Sequence, residues 1–470
     1  MSHGRDRAGE ARIHVFARAL SSASLTRMAN EEERKQQRVT PTVSQRLPGG
    51  GLLELIYQPD TRRTAFAIFR GGEVSVASSL DTDTGERLVP VPATNNLIKH
   101  GALLLPDKPA PYGSTGELIE AIQSYLYRYV DLSERFQRIA SYYILLTWVY
   151  DTFNELPYLR LRGDFGSGKT RALIVIGSLC YKTFFASGAS TVSPIFHTLD
   201  TFRGTLIFDE ADFRFSDEKS ELVKIFNNGN AKGFPVLRTA MTVKKEFDPR
   251  AFNVFGPKIV AMRRSFEDQA LESRFLTEEM GQRSLRDDIP INLPETQKDE
   301  ARSLRNQLLM YRFQTLERIH VDESLVDPSL SPRLNQILVP LLSIIDDEQL
   351  QEEVRDSVKS FDQDLYAERS ASAEAGILEI LSEMLTESDR ASIPVSDVTT
   401  AFAGRFGQEY DRPITNRFIG GILRRRLRLS TYKSHGVYVV PAAEKPKVDQ
   451  LCIRYGVIER STDSAEGPSA

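Results

Sequence analysis

The segment Gly163 to Thr170 reads GDFGSGKT, with glycines at its first, fourth and sixth positions and Lys-Thr at its end. Residues without a Cβ let the backbone curl until its N–H groups converge on an anion. A lysine at the end of the curl adds a compact positive charge, and the hydroxyl beside it can enter the shell of a divalent cation. The chemistry expected here is the cradling of a polyphosphate. Gly163, Gly166, Ser167, Gly168, Lys169 and Thr170 would contact ATP, with Lys169 on the β and γ phosphates and Thr170 on Mg2+.

A second group of residues fits the same chemistry. Thr205 to Asp212 reads TLIFDEAD, an apolar run that ends in adjacent acids, and Asp209 lies 40 residues after Lys169. A carboxylate at a strand end can organise magnesium together with Thr170, and Glu210 can then polarise an attacking water. Taken singly, the first motif could be a surface turn opening a helix and the second a solvent-capped strand. Together they favour hydrolysis over simple nucleotide storage.

These residues need strands and helices to position them. LPYLRLR before the glycine loop has the pattern of a strand and TRALIVIGSLCY after it that of a helix. Four strands are expected near YLRLRG, KTFFAS, GTLIFDE and PKIVAMR, with helices between them, giving an α/β P-loop NTPase core over 157–296. Before it, 1–48 reads as a flexible arm with one short helix near Ile13 to Leu20. Residues 49–115 read as a small β-rich module cut by Gly-rich turns, and 116–156 as two helices divided near Asp131 with Ser133 as N-cap. Tyr125, Tyr127, Tyr129, Tyr142, Tyr143, Trp148 and Tyr150 suit either core packing or a base-stacking surface, and their interleaving with Leu, Ile and Val favours core. After the core come a helical lid over 297–368, a separate domain over 369–445 and a C-terminal tail over 446–470, whose last residues STDSAEGPSA read as disordered.

The chain of 470 residues carries 60 Lys plus Arg against 64 Asp plus Glu, a net charge of -4, so nucleic-acid binding must come from local patches. With two cysteines, Cys180 and Cys452, neither a disulfide framework nor an unaided tetrahedral zinc site is available. The start has no apolar run typical of a signal peptide and no segment is long and apolar enough to cross a bilayer, so a cytoplasmic setting is expected.

With both motifs in place, the stretch from about Ile122 to Ile345 resembles the AAA+ ATPases, and more narrowly the replicative ring ATPases, including minichromosome-maintenance helicases and helicase-like ATPases of phages and mobile elements. The resemblance implies that PKIVAMRR, 257–264, is the fourth core strand and sensor loop, with Arg263 where Asn, Ser or Thr is usual. ALESRF, 270–275, is similar to the arginine-finger segment, so Arg274 would reach a neighbour's nucleotide; the alternative is an ordinary surface arginine. SPRL, 331–334, resembles the start of the lid helix, which implies that Arg333 contacts the γ phosphate in its own subunit. A hairpin over about Val236 to Val254, with Lys244 and Lys245 near its tip, would meet single-stranded DNA, although a solvent-facing turn has the same pattern.

The last domain has helix patterns at 373–387 and 395–406, a basic helix from Pro413 to Arg428 and a hairpin around Ser434 to Gly436, together similar to a winged helix. Arg417, Arg424, Arg425, Arg426, Arg428 and Lys433 are its candidate DNA contacts, and such domains also bind proteins. The expected function is a ring-forming, hexameric ATPase that translocates on or unwinds single-stranded or forked DNA during replication of a phage, plasmid or integrated element, in company with replication proteins. The alternatives are a nucleotide-dependent DNA-loading scaffold and a protein remodeller.

Overall fold

The computed structural model describes residues 38–209, 217–241, 247–264, 266, 268–356, 358–359, 373–387, 390–407, 414–434 and 436–458. Glu210, Lys244, Lys245, the short helix expected near Ile13 to Leu20 and the final ten residues lie outside them. The chain divides into two compact units, one reaching to Glu353 and the other built mainly from Val354 onward.

The first unit begins with strands β1 (Val39–Thr42), β2 (Ser44–Arg46), β3 (Leu52–Gln58), β4 (Arg63–Arg70), β5 (Glu73–Ala77), β6 (Leu80–Asp81) and β7 (Arg87–Pro90). They form a four-stranded antiparallel meander, β2-β3-β4-β5, and a small sheet of order β1-β7-β6. The β module therefore starts ten residues before Gly49, inside the expected arm. VTPTVSQR carries little apolar signal because β1 and β2 are held by main-chain pairing and bury few side chains. By contrast Leu52 to Ile56 are all buried, so β3 reads as a continuous run instead of an alternation.

Two helices follow, α1 (Thr115–Tyr129) and α2 (Glu134–Val149). Ser114 and Glu117 close a capping box on the first, and the Ser133 side chain accepts the Phe136 N–H on the second. Six of the seven aromatics considered above are in the core; Tyr127 alone of them is exposed, and the Arg286 guanidinium lies over its ring.

The central sheet uses β8 (Tyr158–Arg162), β9 (Phe184–Ser187), β10 (Leu206–Asp209), β13 (Lys258–Met262) and β14 (Phe275–Glu279), all parallel, in the order β14-β8-β13-β10-β9. Between them run α3 (Lys169–Gly177), α4 (Val192–Phe202) and α5 (Asp217–Asn228), together with the antiparallel hairpin β11 (Val236–Met241) and β12 (Phe247–Phe252). Four of these strands are the ones expected from the sequence; β14 is an addition, since FLTEE is short and buries only alternate residues.

The long helix α6 (Glu295–Thr315) packs against α1 and α2, and its Arg305 donates to Ser178 O at 2.7 Å. It thus belongs to the body of the unit and not to a separate lid beginning at 297. Its sequence looks polar because several inward side chains are charged and paired. Arg312 donates to Glu54 Oε1 at 2.7 Å and to both oxygens of Asp151, while Lys182 Nζ lies 2.9 Å from Glu54 Oε2. Glu54, Lys182 and Arg312 are buried and Asp151 is half-buried, so the buried ions depend on one another and on Asp151 for compensation. Burial raises the Glu54 pKa, and Lys182 and Arg312 more than offset it, leaving it lowered; burial pushes Lys182 down to about 8. The network ties β3 to the nucleotide-motif core. Helix α7 (Pro332–Leu342) completes the labelled elements of this unit, with Pro332 at its first position.

The second unit contains α8 (Ala373–Glu387), β15 (Ser392–Pro394), α9 (Val395–Phe406), α10 (Asn416–Gly421) continuing as a π turn over Ile422–Arg426, β16 (Tyr432–Ser434), β17 (Val437–Pro441) and α11 (Lys445–Tyr455). Its antiparallel sheet has the order β15-β17-β16. The expected tail begins with an ordered helix: Val448 and Cys452 of α11 enter the same core as Leu381, Phe402, Ile419 and Leu423. KPKVDQLCIRY is mostly polar, and only tertiary packing reveals its narrow apolar stripe.

Candidate functional site

Strand β8 delivers the chain into the glycine loop at the carboxyl edge of the central sheet, and α3 leaves it. Gly168 caps α3 with φ 88°, a conformation costly for residues with a Cβ. At Gly163 the demand is for space: a Cβ there would fall 2.6 Å from Met280 O. Lys169 Nζ folds over the loop and donates to Gly163 O at 2.7 Å and Asp164 O at 2.6 Å. Thr170 Oγ1 donates to Asp209 Oδ2 at 2.7 Å, joining the two sequence motifs across the sheet.

A cleft of about 370 Å³ lies here, lined by Gly166, Lys169, Thr170, Asp209, Met262 and Arg263 among others. A glycine-rich loop, the start of α3 and the Lys169 side chain border this one cleft, which are the features an anion site requires. The arrangement fits a polyphosphate, and the adjacent hydroxyl and carboxylate fit a hard cation. Among the described residues no three His, Cys, Asp or Glu side chains assemble a metal site, so such an ion would need phosphate or water oxygens as well. Arg263 follows β13 into this cleft, its guanidinium 6.0 Å from the Phe165 ring centroid.

On the other side of the loop a second cleft, of about 570 Å³, is lined in part by Phe165, Met280, Leu285, Ile289 and Ile291, with Arg171 at its wall. Arg171 donates to the carbonyls of Pro290 and Ile291 and so holds that wall in place. None of these residues was anticipated. Their signal was weak: Arg171 adjoins the motif, but 280–291 is an irregular segment with no spacing pattern of its own.

Arg274 and Arg333 are elsewhere. Arg274 immediately precedes β14, and its carbonyl accepts the Tyr158 N–H at 2.8 Å, which puts it at the amino end of β8, opposite the glycine loop. Its guanidinium donates to Asn227 Oδ1, and its Nε is buried without a hydrogen-bond partner among the described residues. Burial lowers the Arg274 pKa, and the nearby charge of Arg333 lowers it further. Glu155 lies within electrostatic reach of both arginines. The expectation that Arg333 serves its own subunit's γ phosphate thus meets a different geometry: the amino end of α7 brings it beside Arg274, away from Lys169.

In the hairpin, Arg238 on β11 faces Arg250 on β12 and donates to Glu221 Oε1 of α5 at 2.8 Å. Both arginines belong to the described stem, whereas the expected contacts Lys244 and Lys245 do not. In the second unit Arg417, Arg424, Arg425, Arg428 and Lys433 are exposed. The Arg424 guanidinium lies 5.1 Å from the Tyr438 ring centroid, joining the basic helix to β17. Arg426 is exposed too, but it donates to Glu374 at 2.6 Å, which reduces its value as a phosphate contact.

Among the described residues no helix is long and apolar enough to cross a membrane. No protein-family model and no curated protein matches the chain. Among solved structures, the A-form apo structure of the NrS-1 C-terminal region is similar over 83% of this chain and 96% of that one, with 12% identity and a TM-score of 0.34. The X-ray structure of JCV helicase covers 53% of this chain and 61% of its own at 14% identity and a TM-score of 0.23. The Aeropyrum pernix ORC1 protein in complex with DNA covers 69% and 93%, at 14% identity and a TM-score of 0.20. Likenesses of this strength assign no family and no activity; what stands is an α/β architecture with a parallel central sheet and peripheral helices, consistent with a P-loop NTPase-like core.

Proposed function

We propose that this chain is an ATP-hydrolysing, ring-forming P-loop ATPase of the AAA+ type that translocates on or unwinds DNA. The observation that carries the reading is the junction of Lys169, Thr170 and Asp209 at the carboxyl edge of the parallel sheet, where Thr170 and Asp209 lie 2.7 Å apart. Bound ATP with Mg2+ would supply the transferable phosphoryl group. Lys169 and the loop amides hold the phosphates, Thr170 and Asp209 hold the cation, and Glu210 polarises water. In the second cleft Met280, Leu285 and Ile289 would offer a nucleobase apolar contact between charged walls that include Arg171 and Glu279.

Arg274 and Arg333 complete the reading. Arg274, at the amino end of β8, is too far from Lys169 to serve it in the same chain, since five residues of strand span about 16 Å, and Arg333 of α7 lies within its electrostatic reach. In a ring, a neighbouring copy would receive them at its phosphates, where guanidinium groups stabilise charge on the transferring group. The hairpin and the basic surface of the second unit are the DNA-facing elements, the latter as a winged helix.

The test is ATP-driven strand displacement on forked DNA, with Glu210→Gln as control and oligomer mass recorded in the same preparation. Displacement by the intact protein alone supports a hexameric helicase. A protein that assembles and hydrolyses ATP but leaves the fork annealed is a DNA loader, and turnover that responds to a protein client instead of DNA marks a remodeller.

A further inference from the structure

Lys258 takes no part in the chemistry above, yet it is fully buried at the start of β13. Its ammonium group donates to three main-chain carbonyls, Gly229 at 3.1 Å, Val254 at 2.9 Å and Gly256 at 2.9 Å. Gly229 ends α5 and leads into the hairpin, whereas Val254 and Gly256 are where the chain leaves it. Gly256 N also donates to Gly229 O at 3.1 Å, so both ends of the insertion converge on one lysine. The fit is tight: a Cβ on Gly229 would lie 2.3 Å from Lys258 Nζ.

This root adjoins the arginine edge. Asn227, in the last turn of α5, accepts from Arg274 and donates to Asp268 Oδ2 at 3.2 Å. The Tyr158 hydroxyl donates to Phe226 O at 3.0 Å, and Leu156 N donates to Asn230 O at 2.9 Å. Glu155 forms a bridge with Ala231 while sitting in the field of Arg274 and Arg333. A displacement of Arg274 cannot leave Asn227 in place without breaking a charge-assisted hydrogen bond, and Asn227 is two residues from the carbonyl that Lys258 holds.

We propose that Asn227 and Lys258 form a joint that couples Arg274, at a neighbour's nucleotide, to the root of the hairpin. This rests on the function proposed above. Both are positioning residues: Asn227 carries the movement of Arg274 into the end of α5, and Lys258 makes the two hairpin strands follow as one body, because a buried ammonium satisfied by three carbonyls resists separation from any of them. Coupling of this kind is reciprocal, so DNA on the hairpin must also alter events at the nucleotide.

The experiment compares ATP turnover with and without single-stranded DNA in the full chain, for the wild type, Lys258→Met and Asn227→Ala, with thermal melting and oligomer mass measured alongside. The joint predicts that the ratio of stimulated to basal turnover falls by about 5-fold or more in both variants. A purely structural role for these residues would lower the melting temperature and leave the ratio unchanged. Half-buried Asn227 is the safer substitution, and it decides the matter if Lys258→Met fails to fold. A stimulated wild type with equally stimulated variants overturns the joint alone. A wild type whose turnover ignores DNA overturns the functional reading and the joint with it.

Discussion

The two edges of the central sheet are built on opposite electrostatic principles. At the carboxyl edge Lys169 folds onto loop carbonyls, and Thr170 and Asp209 bond to each other. At the amino edge Arg274 and Arg333 share the field of Glu155, and Arg274 retains a buried Nε without a hydrogen bond among the described residues. One edge pairs its polar groups within a loop and a strand end, whereas the other brings two guanidinium groups into one another's field. On the function proposed above, the carboxyl edge would bind the nucleotide and the arginines of the amino edge would complete its chemistry in a neighbouring copy.

The strongest way to break this contrast is Arg274→Ala. If the amino edge serves a neighbour, turnover drops by about 10³-fold with nucleotide affinity nearly unchanged. Mixing this variant with Glu210→Gln should restore part of the activity, because some boundaries then combine an intact Arg274 with an intact Glu210; absence of any rescue in steady-state assays speaks against a shared boundary. Lys169→Ala tests the other edge. There the loss should lie in binding, about 100-fold in affinity for a fluorescent ATP analogue, as expected for removing a charge-assisted contact.

A third substitution asks whether charge away from both edges matters only to stability. Glu54→Gln leaves Lys182 and Arg312 facing each other without their shared carboxylate, and should cost about 3 kcal/mol in urea unfolding while the residual activity of folded protein keeps its nucleotide affinity. The pH dependence has a definite sign. Glu54 and Asp151 both have lowered pKa values when folded, burial being outweighed by their cationic partners. Their stabilisation is therefore whole above the ordinary glutamate value of 4.5 and is lost as pH falls through the lower folded values. Melting temperatures recorded down to acidic pH should show that decline, with a shallower slope in Glu54→Gln.

The smallest effect concerns the second unit. Arg424, stacked on Tyr438, should lower DNA affinity several-fold on replacement by Ala and reduce the salt slope by about 0.9. Arg426→Ala should do less, since Glu374 already neutralises it. Equal losses in salt titrations would remove the distinction between the two arginines.

The chemistry-bearing loop was legible because its glycines, lysine and threonine act through local backbone geometry, which short sequence spacing encodes. The helices around Asp131 were legible for a related reason, since capping by Ser133 and apolar periodicity are both local. Strand β14 and helix α11 were not, as neither FLTEE nor KPKVDQLCIRY has enough apolar signal to declare itself without its partners. The same holds for β1 and β2, whose stability comes from pairing with strands distant in the chain.

By itself the sequence determined the glycine-rich loop with its Lys-Thr end, the acidic strand end and the basic character of the segment from Arg417 to Arg428, each a property of contiguous residues. Only the tertiary structure decided that Arg333 stands with Arg274 at the far end of β8, that Lys258 holds both ends of the hairpin, and that Glu54 shares its charge with Lys182 and Arg312. Those outcomes depend on through-space distance and on how much water is excluded around a charge, and neither quantity follows from spacing along the chain.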